Sequence, residues 1–131
     1  MQYIERVSEG LLVKTEDKME ILAQGMKAFL NTLLKKELAT YEGRIKTLKE
    51  AYQLKNNVPI YIDESLCMYM STNIRDMNAV CINYHSVLSI RKKDTHTSEI
   101  IFKDLSIKTV NVSYGKLMRR HARTAQLLHM L

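Results

Sequence analysis

The sequence predicts an α+β protein with an N-terminal helical segment, an antiparallel sheet of about five to seven short strands, and a C-terminal amphipathic, basic helix that covers one face of the sheet. Three observations lead to this fold class. Apolar residues recur at helical spacing between residues 19 and 52, short β-rich runs follow Pro59, and helical spacing returns in residues 113–131. The length of 131 residues suits one domain, over residues 1–131.

The first residues of the chain contain two short runs that are candidate strands. Residues 3–7 and 11–15 flank Ser8-Glu9-Gly10, a turn-forming trio. If both runs form strands, they precede the N-terminal helical segment.

The stretch after these runs admits two interpretations. Helical spacing, together with Asp17 and Glu20 placed as in a capping box, predicts one helix over about residues 18–38. Gly25 opposes this helix, because a glycine in a helix interior costs about 1 kcal/mol relative to alanine. The second interpretation is a strand over 19–23, a turn at Gln24-Gly25 and a shorter helix over 27–38.

A second helix is predicted after Thr40, whose hydroxyl can accept a hydrogen bond from an amide of the first turn. Asn56-Asn57 is typical of a helix end, and Val58 favours extended backbone because it precedes Pro59. The apolar stripe of this helix consists of Tyr41, Ile45, Leu48 and Tyr52.

The stretch between Pro59 and the terminal helix is typical of short strands joined by turns. Val110 and Val112 alternate with polar residues, as in a half-buried strand. Residues 72–78 predict a loop, and residues 92–97 predict an exposed hairpin tip. The predicted strands cover residues 60–62, 66–70, 79–84, 86–91, 99–102 and 106–112.

The terminal helix carries the clearest pattern in the chain. Ser113 is its predicted N-cap, and no acidic residue follows it. Leu127 and Met130 lie on the basic side near the end, where they would either fray or pack on another subunit. The apolar arc consists of Tyr114, Leu117, Met118, Ala122, Ala125 and Leu128. The opposite, basic arc consists of Lys116, Arg119, Arg120 and Arg123.

The basic arc is either the solvated face of a packed helix or a face that binds an anion. Solvated helix faces usually mix acidic and basic residues, whereas this arc holds cations alone. Three of the four cations are arginines, and the guanidinium fork can bind phosphate bidentately.

The net charge of +6 lies entirely in the second part of the chain. Residues 1–84 hold 11 Lys and Arg against 11 Asp and Glu, whereas residues 85–131 hold 9 against 3. This asymmetry is either a chance imbalance or the mark of a polyanionic partner, nucleic acid or an anionic membrane surface. No apolar run approaches the ~20 residues of a membrane span, and the N-terminus lacks a signal-peptide core, so we expect a cytoplasmic protein.

Catalytic patterns are weak, so we expect no enzyme, no cofactor and no metal site. Ser113 and Lys116 match the S-x-x-K motif of penicillin-binding enzymes, but the other motifs of those enzymes are missing. The four histidines lack the paired spacing of zinc ligands, and His121 is interpreted as a hydrogen-bonded core histidine. Cys67 and Cys81 predict two buried, reduced thiols.

Several segments, in order along the chain, resemble one known family. Thr40-Tyr41-Glu42-Gly43-Arg44 is similar to the Ser-Tyr-x-Gly-Arg signature of the ComK competence transcription factors of Gram-positive bacteria, and Pro59-Ile60-Tyr61-Ile62-Asp63 resembles the Pro-Ile strand of that family. Ile100-Ile101-Phe102 resembles its late strand, and Val112-Ser113-Tyr114 with Arg123-Thr124-Ala125 resembles its terminal helix. The similarity covers about residues 26–131.

The resemblance implies a transcriptional activator that binds A/T-rich sites upstream of DNA-uptake genes and assembles as an oligomer. It also favours the strand–turn–helix interpretation of the stretch around Gly25. The chain departs from the family in two places: Cys81 stands where the family usually has Trp, and Asp104-Leu105 replaces its usual Asn-Gly turn.

The predicted partners are therefore double-stranded A/T-rich DNA, further copies of the chain and a regulatory protein. The predicted DNA contacts rest on charge placement alone, and an arginine in a narrow minor groove would be the natural reader of A/T-rich DNA. The predicted contact residues are Lys116, Arg119, Arg120 and Arg123 on the terminal helix and Arg91, Lys92 and Lys93 on the hairpin.

Two other functions compete with DNA binding. One is a protein-interaction module that has kept the fold but lost the DNA site, with Leu127 and Met130 at the partner interface. The other is a peripheral membrane module whose basic helix lies on anionic lipid. Arg44, inside the family signature, is predicted to make a structural bond to a carbonyl or an acidic side chain.

Overall fold

The computed structural model describes residues 1–131 as nine strands and three helices, which confirms the α+β class and the C-terminal helix. The helices are α1 (Met26–Leu34), α2 (Tyr41–Tyr52) and α3 (Tyr114–Met130). The strands are β1 (Tyr3–Val7), β2 (Gly10–Lys14), β3 (Met19–Leu22), β4 (Ile60–Asp63), β5 (Leu66–Met70), β6 (Val80–Asn83), β7 (Val87–Lys92), β8 (Ser98–Phe102) and β9 (Ile107–Val110).

Strands, rather than a helical segment, open the chain, so the predicted N-terminal helical segment is wrong. β1 and β2 form a hairpin in which Val7 pairs with Gly10, and β1 also pairs with β6 on its other side. Gly10 has a φ of 142°, and a Cβ at this position would lie 2.1 Å from the carbonyl oxygen of Leu22. The turn therefore requires glycine. The two candidate strands lie inside the sheet, between β3 and β6.

The strand–turn–helix interpretation of the next stretch is confirmed. β3 pairs with β2 at the edge of the sheet, and α1 begins directly after Gly25. Gly25 is extended, with φ −84° and ψ 165°, so it stands at the N-cap instead of interrupting a longer helix. The chain leaves α1 through a 3-10 turn at Lys35–Glu37 and through Leu38, which adopts a φ of 56°.

The predicted cap of α2 is confirmed, but the helix is shorter than predicted. The Thr40 hydroxyl accepts a hydrogen bond of 3.1 Å from the amide of Gly43. The helix ends at Tyr52 because Gln53 takes the left-handed conformation, with a φ of 55°. Asn56-Asn57 consequently lies in the turn that follows α2 and not in its last turn.

The strands form two antiparallel sheets, where a single sheet had been expected. One sheet has the order β3-β2-β1-β6-β5-β4, and the other has the order β7-β8-β9. A 3-10 turn at Tyr84–Ser86 carries the chain from β6 in the first sheet to β7 in the second. Period-two alternation shows which side chains share a face but not which strands pair, so it left the number of sheets open.

The six-stranded sheet is covered on both faces, and each face has its own apolar core. Alternate residues of one strand enter different cores: Met68 and Met70 of β5 face the helices, whereas Tyr69 faces the small sheet. The first core is completed by Met26, Phe29, Leu30 and Leu34 of α1. The second core is completed by Val87, Ile100, Phe102 and Val110 of the small sheet and by Leu117 of α3.

Candidate nucleic-acid interface

α3 packs on the protein with a different face from the one that its apolar arc predicted. Leu117, Thr124 and Leu127 are buried, whereas Tyr114 and Ala122 are exposed. At about 100° per residue, the buried face is turned by roughly a quarter of a circle toward the basic side. Thr124 tolerates burial because its hydroxyl donates to the carbonyl oxygen of Arg120, 2.9 Å away.

Leu127 is fully buried inside this chain, so neither fraying nor packing on another subunit describes it. Met130 is 50% exposed and remains on the surface. His121 is half-buried, and its Nδ1 atom shares a hydrogen bond of 2.9 Å with the hydroxyl of Tyr69. The interpretation of His121 as a satisfied core histidine is therefore confirmed, and burial lowers its pKa.

Because α3 packs with this other face, its four cations fall into two pairs. Arg120 and Arg123 lie on the side that packs, are half-buried, and donate to the protein's own backbone. Arg120 donates to the carbonyl oxygen of Met70 over 3.2 Å, and Arg123 donates to that of Asn56. Lys116 and Arg119 are exposed and make no hydrogen bond or ion pair within the chain.

All four cations line one cleft of about 390 Å³, which we call the α3 cleft. Its other walls are Asn57, Ser71, Thr72 and Val112, so the cleft holds four positive charges and no carboxylate. The polar part of this wall comes from two turns, one after α2 and one after β5, which both lie far before α3 in the chain. Sequence reasoning missed this wall, since neither turn is near α3 in the chain.

Burial and like charge act together on the guanidinium groups of the α3 cleft. The pKa of Arg120 is lowered, first by burial and then by the neighbouring Arg123. Two cations held close together without a counter-ion gain free energy when an anion enters between them. The arrangement is therefore suited to bind an oxyanion such as a phosphate group, to which each guanidinium offers planar, fixed donors.

The second predicted cluster, Arg91, Lys92 and Lys93, lies on β7 and at the start of the hairpin tip, and we call it the hairpin cluster. The structure does not bring it into the α3 cleft. Arg91 is paired with Glu99 on the neighbouring strand, with 2.8 Å between Nε and Oε1. All three cations are exposed, so this cluster presents its charges to solvent.

Arg44 makes a structural contact, but not of the predicted kind. Its guanidinium carbon lies 5.8 Å from the ring centroid of Tyr61, a cation–π contact, and no hydrogen bond or ion pair joins it to a carbonyl or a carboxylate. Arg44 shares a separate cleft with Glu37, Asp63 and Glu64, which supply negative charge around it. It is therefore not part of the basic surface around α3.

Features that would indicate chemistry are scarce. No three His, Cys, Asp or Glu side chains come together as a metal site requires. Cys67 and Cys81 are free and buried, as predicted, and burial raises the pKa of Cys67 to about 12, far from that of a reactive thiol. None of the helices combines the length and the apolar character needed to cross a bilayer.

A family model described as "ComK protein" matches residues 4–131. The chain belongs to the ComK family. The match extends beyond the resemblance seen in residues 26–131 and includes β2, β3 and nearly all of β1. ComK proteins are competence transcription factors, a family without enzymatic activity. No curated protein and no solved structure matches the chain.

One departure from the usual ComK sequence has a visible structural consequence. Leu105, where the family resemblance led us to expect glycine, has a φ of 71° in the turn between β8 and β9. Asp104 holds this turn, since its Oδ1 accepts hydrogen bonds from the amide and the hydroxyl of Ser106. The turn therefore keeps the left-handed geometry that glycine favours, with a leucine that is 71% exposed.

Proposed function

We propose that this ComK-family protein is a DNA-binding activator of transcription that acts in the cytoplasm at A/T-rich sites of DNA-uptake genes. The observation that carries the proposal is the α3 cleft, where four cations face a polar wall and no carboxylate opposes them. Phosphate contacts supply most of the affinity of DNA-binding proteins, and arginine and lysine provide them.

Within the α3 cleft, the exposed pair and the tethered pair have different roles. Lys116 and Arg119 have no partner in the chain, so their side chains are available to phosphate without breaking any bond. Arg120 and Arg123 are fixed by carbonyl oxygens and keep further N–H donors to spare. They would orient the bound backbone, and the exposed Arg119 would be the arginine that enters a narrow minor groove.

The hairpin cluster supplies a second, weaker contact in this proposal. Lys92 and Lys93 are exposed, and their attraction to DNA is screened by salt beyond about 10 Å at 0.1 M. Arg91 already forms an ion pair with Glu99. The cluster would speed the association of the protein with DNA and contribute little to the affinity of the complex.

A homo-oligomer is part of the proposed function, because the edge strand β3 leaves apolar side chains uncovered. Met19 is 62% exposed and Ile21 is 54% exposed, and the outer backbone edge of β3 has no partner in the sheet. The alternative, a module that binds a protein in place of DNA, relied on a surface formed by Leu127 and Met130. Because Leu127 is buried, that surface is reduced to Met130.

The proposal is tested by equilibrium binding of the protein to two labelled duplexes, one A/T-rich and one G/C-rich, over a salt series. We expect tighter binding to the A/T-rich duplex and a plot of log K against log[salt] with a slope of about −0.9 for each neutralised phosphate. Equal, steep slopes without preference would reduce the site to a non-specific basic surface. Absence of binding at low salt would refute the proposal and leave the protein-interaction module.

A further inference from the structure

A second cleft, of about 470 Å³, continues the α3 cleft toward α2, and we call it the α2 cleft. Asn57, Thr72 and Arg120 line both clefts, so the two are halves of one groove. The groove runs from the basic face of α3, past the turn that follows α2, to the face of α2 that carries Tyr41, Ile45 and Lys49. Arg120 stands at the junction, half-buried and fixed by the carbonyl oxygen of Met70.

The α2 cleft adds two cations that the charge count of the sequence had concealed. Lys49 and Lys55 belong to residues 1–84, whose charges sum to zero, yet both line the groove. Both are exposed, and neither makes an ion pair. The two halves together hold six cations and no carboxylate: Lys49, Lys55, Lys116, Arg119, Arg120 and Arg123.

No acidic residue lines either half of the groove, but Glu42 and Glu50 lie beside Lys49 in a neighbouring depression on α2, which shares Lys49 with the α2 cleft. Glu42, at the start of α2, is paired with Lys27 of α1 at 3.4 Å. Glu37, Asp63 and Glu64 line the separate cleft around Arg44. Folding therefore places Lys49 and Lys55 in the groove, with the carboxylates of α2 next to Lys49 and the other three in the separate cleft.

We propose that the groove binds a nucleic-acid backbone at two separate places, with one phosphate position in the α3 cleft and a second at Lys49 and Lys55 in the α2 cleft. This inference rests on the proposed function and extends its contact surface to residues that no sequence pattern marked. A backbone that follows the groove passes Asn57 and Arg120 at the junction. Two phosphate positions in line also fix the direction of the strand, which one position cannot do.

A purely structural role for the two lysines makes a different prediction. Lys49 lies in the last turn of α2, where a cation is favourable beside the helix's unpaired carbonyl groups. If that is its only role, its loss lowers the melting temperature and leaves the salt dependence of DNA binding unchanged. If the lysines bind phosphate, their loss makes the plot of log K against log[salt] less steep, because fewer counter-ions are then released when DNA binds.

The experiment compares the double variant Lys49→Gln with Lys55→Gln against the matched double variant Lys35→Gln with Lys103→Gln. Lys35 and Lys103 are exposed, make no ion pair and line neither half of the groove, and the second pair removes the same charge. Binding to the A/T-rich duplex is measured over a salt series, together with thermal unfolding of each variant. The single variant Lys55→Gln, in the turn after α2, serves if the first double variant fails to fold.

We expect the groove variant to bind about tenfold more weakly at ~0.1 M salt, with a slope shallower by about 1–2 units, while the matched variant keeps the wild-type slope. The single variant would lose about 0.9 units. An unchanged slope in the groove variant, or an equal change in both double variants, would overturn the second phosphate position. If the wild-type protein does not bind DNA at all, the proposed function fails first, and this inference fails with it.

Discussion

The α3 cleft and the hairpin cluster look alike in the sequence and differ in the structure. Both are runs of cations in the positively charged part of the chain. The α3 cleft is concave, holds no carboxylate and has a polar wall from two distant turns, whereas the hairpin cluster is exposed to solvent and has Glu99 bonded to one of its members. What distinguishes a binding surface from a solvated one is therefore what lies opposite the cations, which charge counting does not reveal.

Reversing the charge of the exposed pair in the α3 cleft should have the largest effect. The double variant Lys116→Glu with Arg119→Glu removes two contacts to a charged group, each about 1.5 kcal/mol or more, so we expect DNA affinity to fall about 100-fold or further. The matched variant Lys92→Glu with Lys93→Glu should lose less than about fivefold, because its charges are exposed and screened. Fluorescence anisotropy with one A/T-rich duplex measures both.

Neither pair of substitutions should affect folding, since none of the four side chains is buried or bonded within the chain. Circular dichroism and thermal unfolding provide this control. Equal losses in the two variants would remove the distinction between the cleft and the hairpin. A larger loss in the hairpin variant would reverse it.

Replacing Arg120 should separate binding from stability. Its guanidinium group is half-buried beside Arg123, and both burial and the neighbouring charge lower its pKa, so the charge is unfavourable in the free protein. We expect Arg120→Met to weaken DNA binding about tenfold and to leave the melting temperature at or above that of the wild type. A clear fall in melting temperature would show instead that the bond to Met70 makes Arg120 a structural residue.

The inner face of α3 should give the protein a modest dependence on pH. Burial lowers the pKa of His121 below its ordinary value of 6.5, so the unfolded chain binds this proton more readily than the folded one. The contribution of neutral His121 to the free energy of unfolding is therefore fully present above the pKa of His121 in the unfolded chain. It is lost as the pH falls toward the pKa of His121 in the folded protein. We expect the melting temperature to drop between about pH 7.5 and about pH 5, and His121→Gln to drop less.

Thermal unfolding of both proteins at several pH values provides the comparison, and other titrating groups cancel in the difference. An equal pH dependence in the two proteins would mean that the hydrogen bond with Tyr69 holds His121 equally well in both protonation states.

Local features of the fold could be predicted from the sequence because they depend on neighbours in the chain. Thr40 caps α2 by bonding the amide three residues later, and β-rich runs bounded by turn residues located the strands after Pro59 to within about two residues. The N-terminal strands were undervalued, because β1 is stabilised by its pairing with β6, far away in the chain. The division into two sheets escaped prediction for the same reason.

The candidate site was predicted only in part, and the reason is again the distance between its residues in the chain. The helical period predicted that the cations of α3 share one face, but it did not predict which of them are exposed. The buried Thr124 is a polar residue, so the apolar pattern did not mark the side of α3 that packs. Leu127, assigned to the basic side, became an anchor of the packed face. Asn57, Thr72, Lys49 and Lys55 lie in turns or on a helix that mixes acidic and basic residues, and only the fold of distant segments brings them to the groove.

The position of the DNA-binding site is best tested by titrating the isotope-labelled protein with an A/T-rich duplex and following the NMR chemical shifts of its backbone amides. We expect the largest shifts at Asn57, Thr72, Lys116 and Arg119, which surround the groove, and small shifts at Lys92 and Lys93. Shifts confined to the hairpin, with the groove unchanged, would contradict the claim that the groove between α2 and α3 is the DNA-binding site.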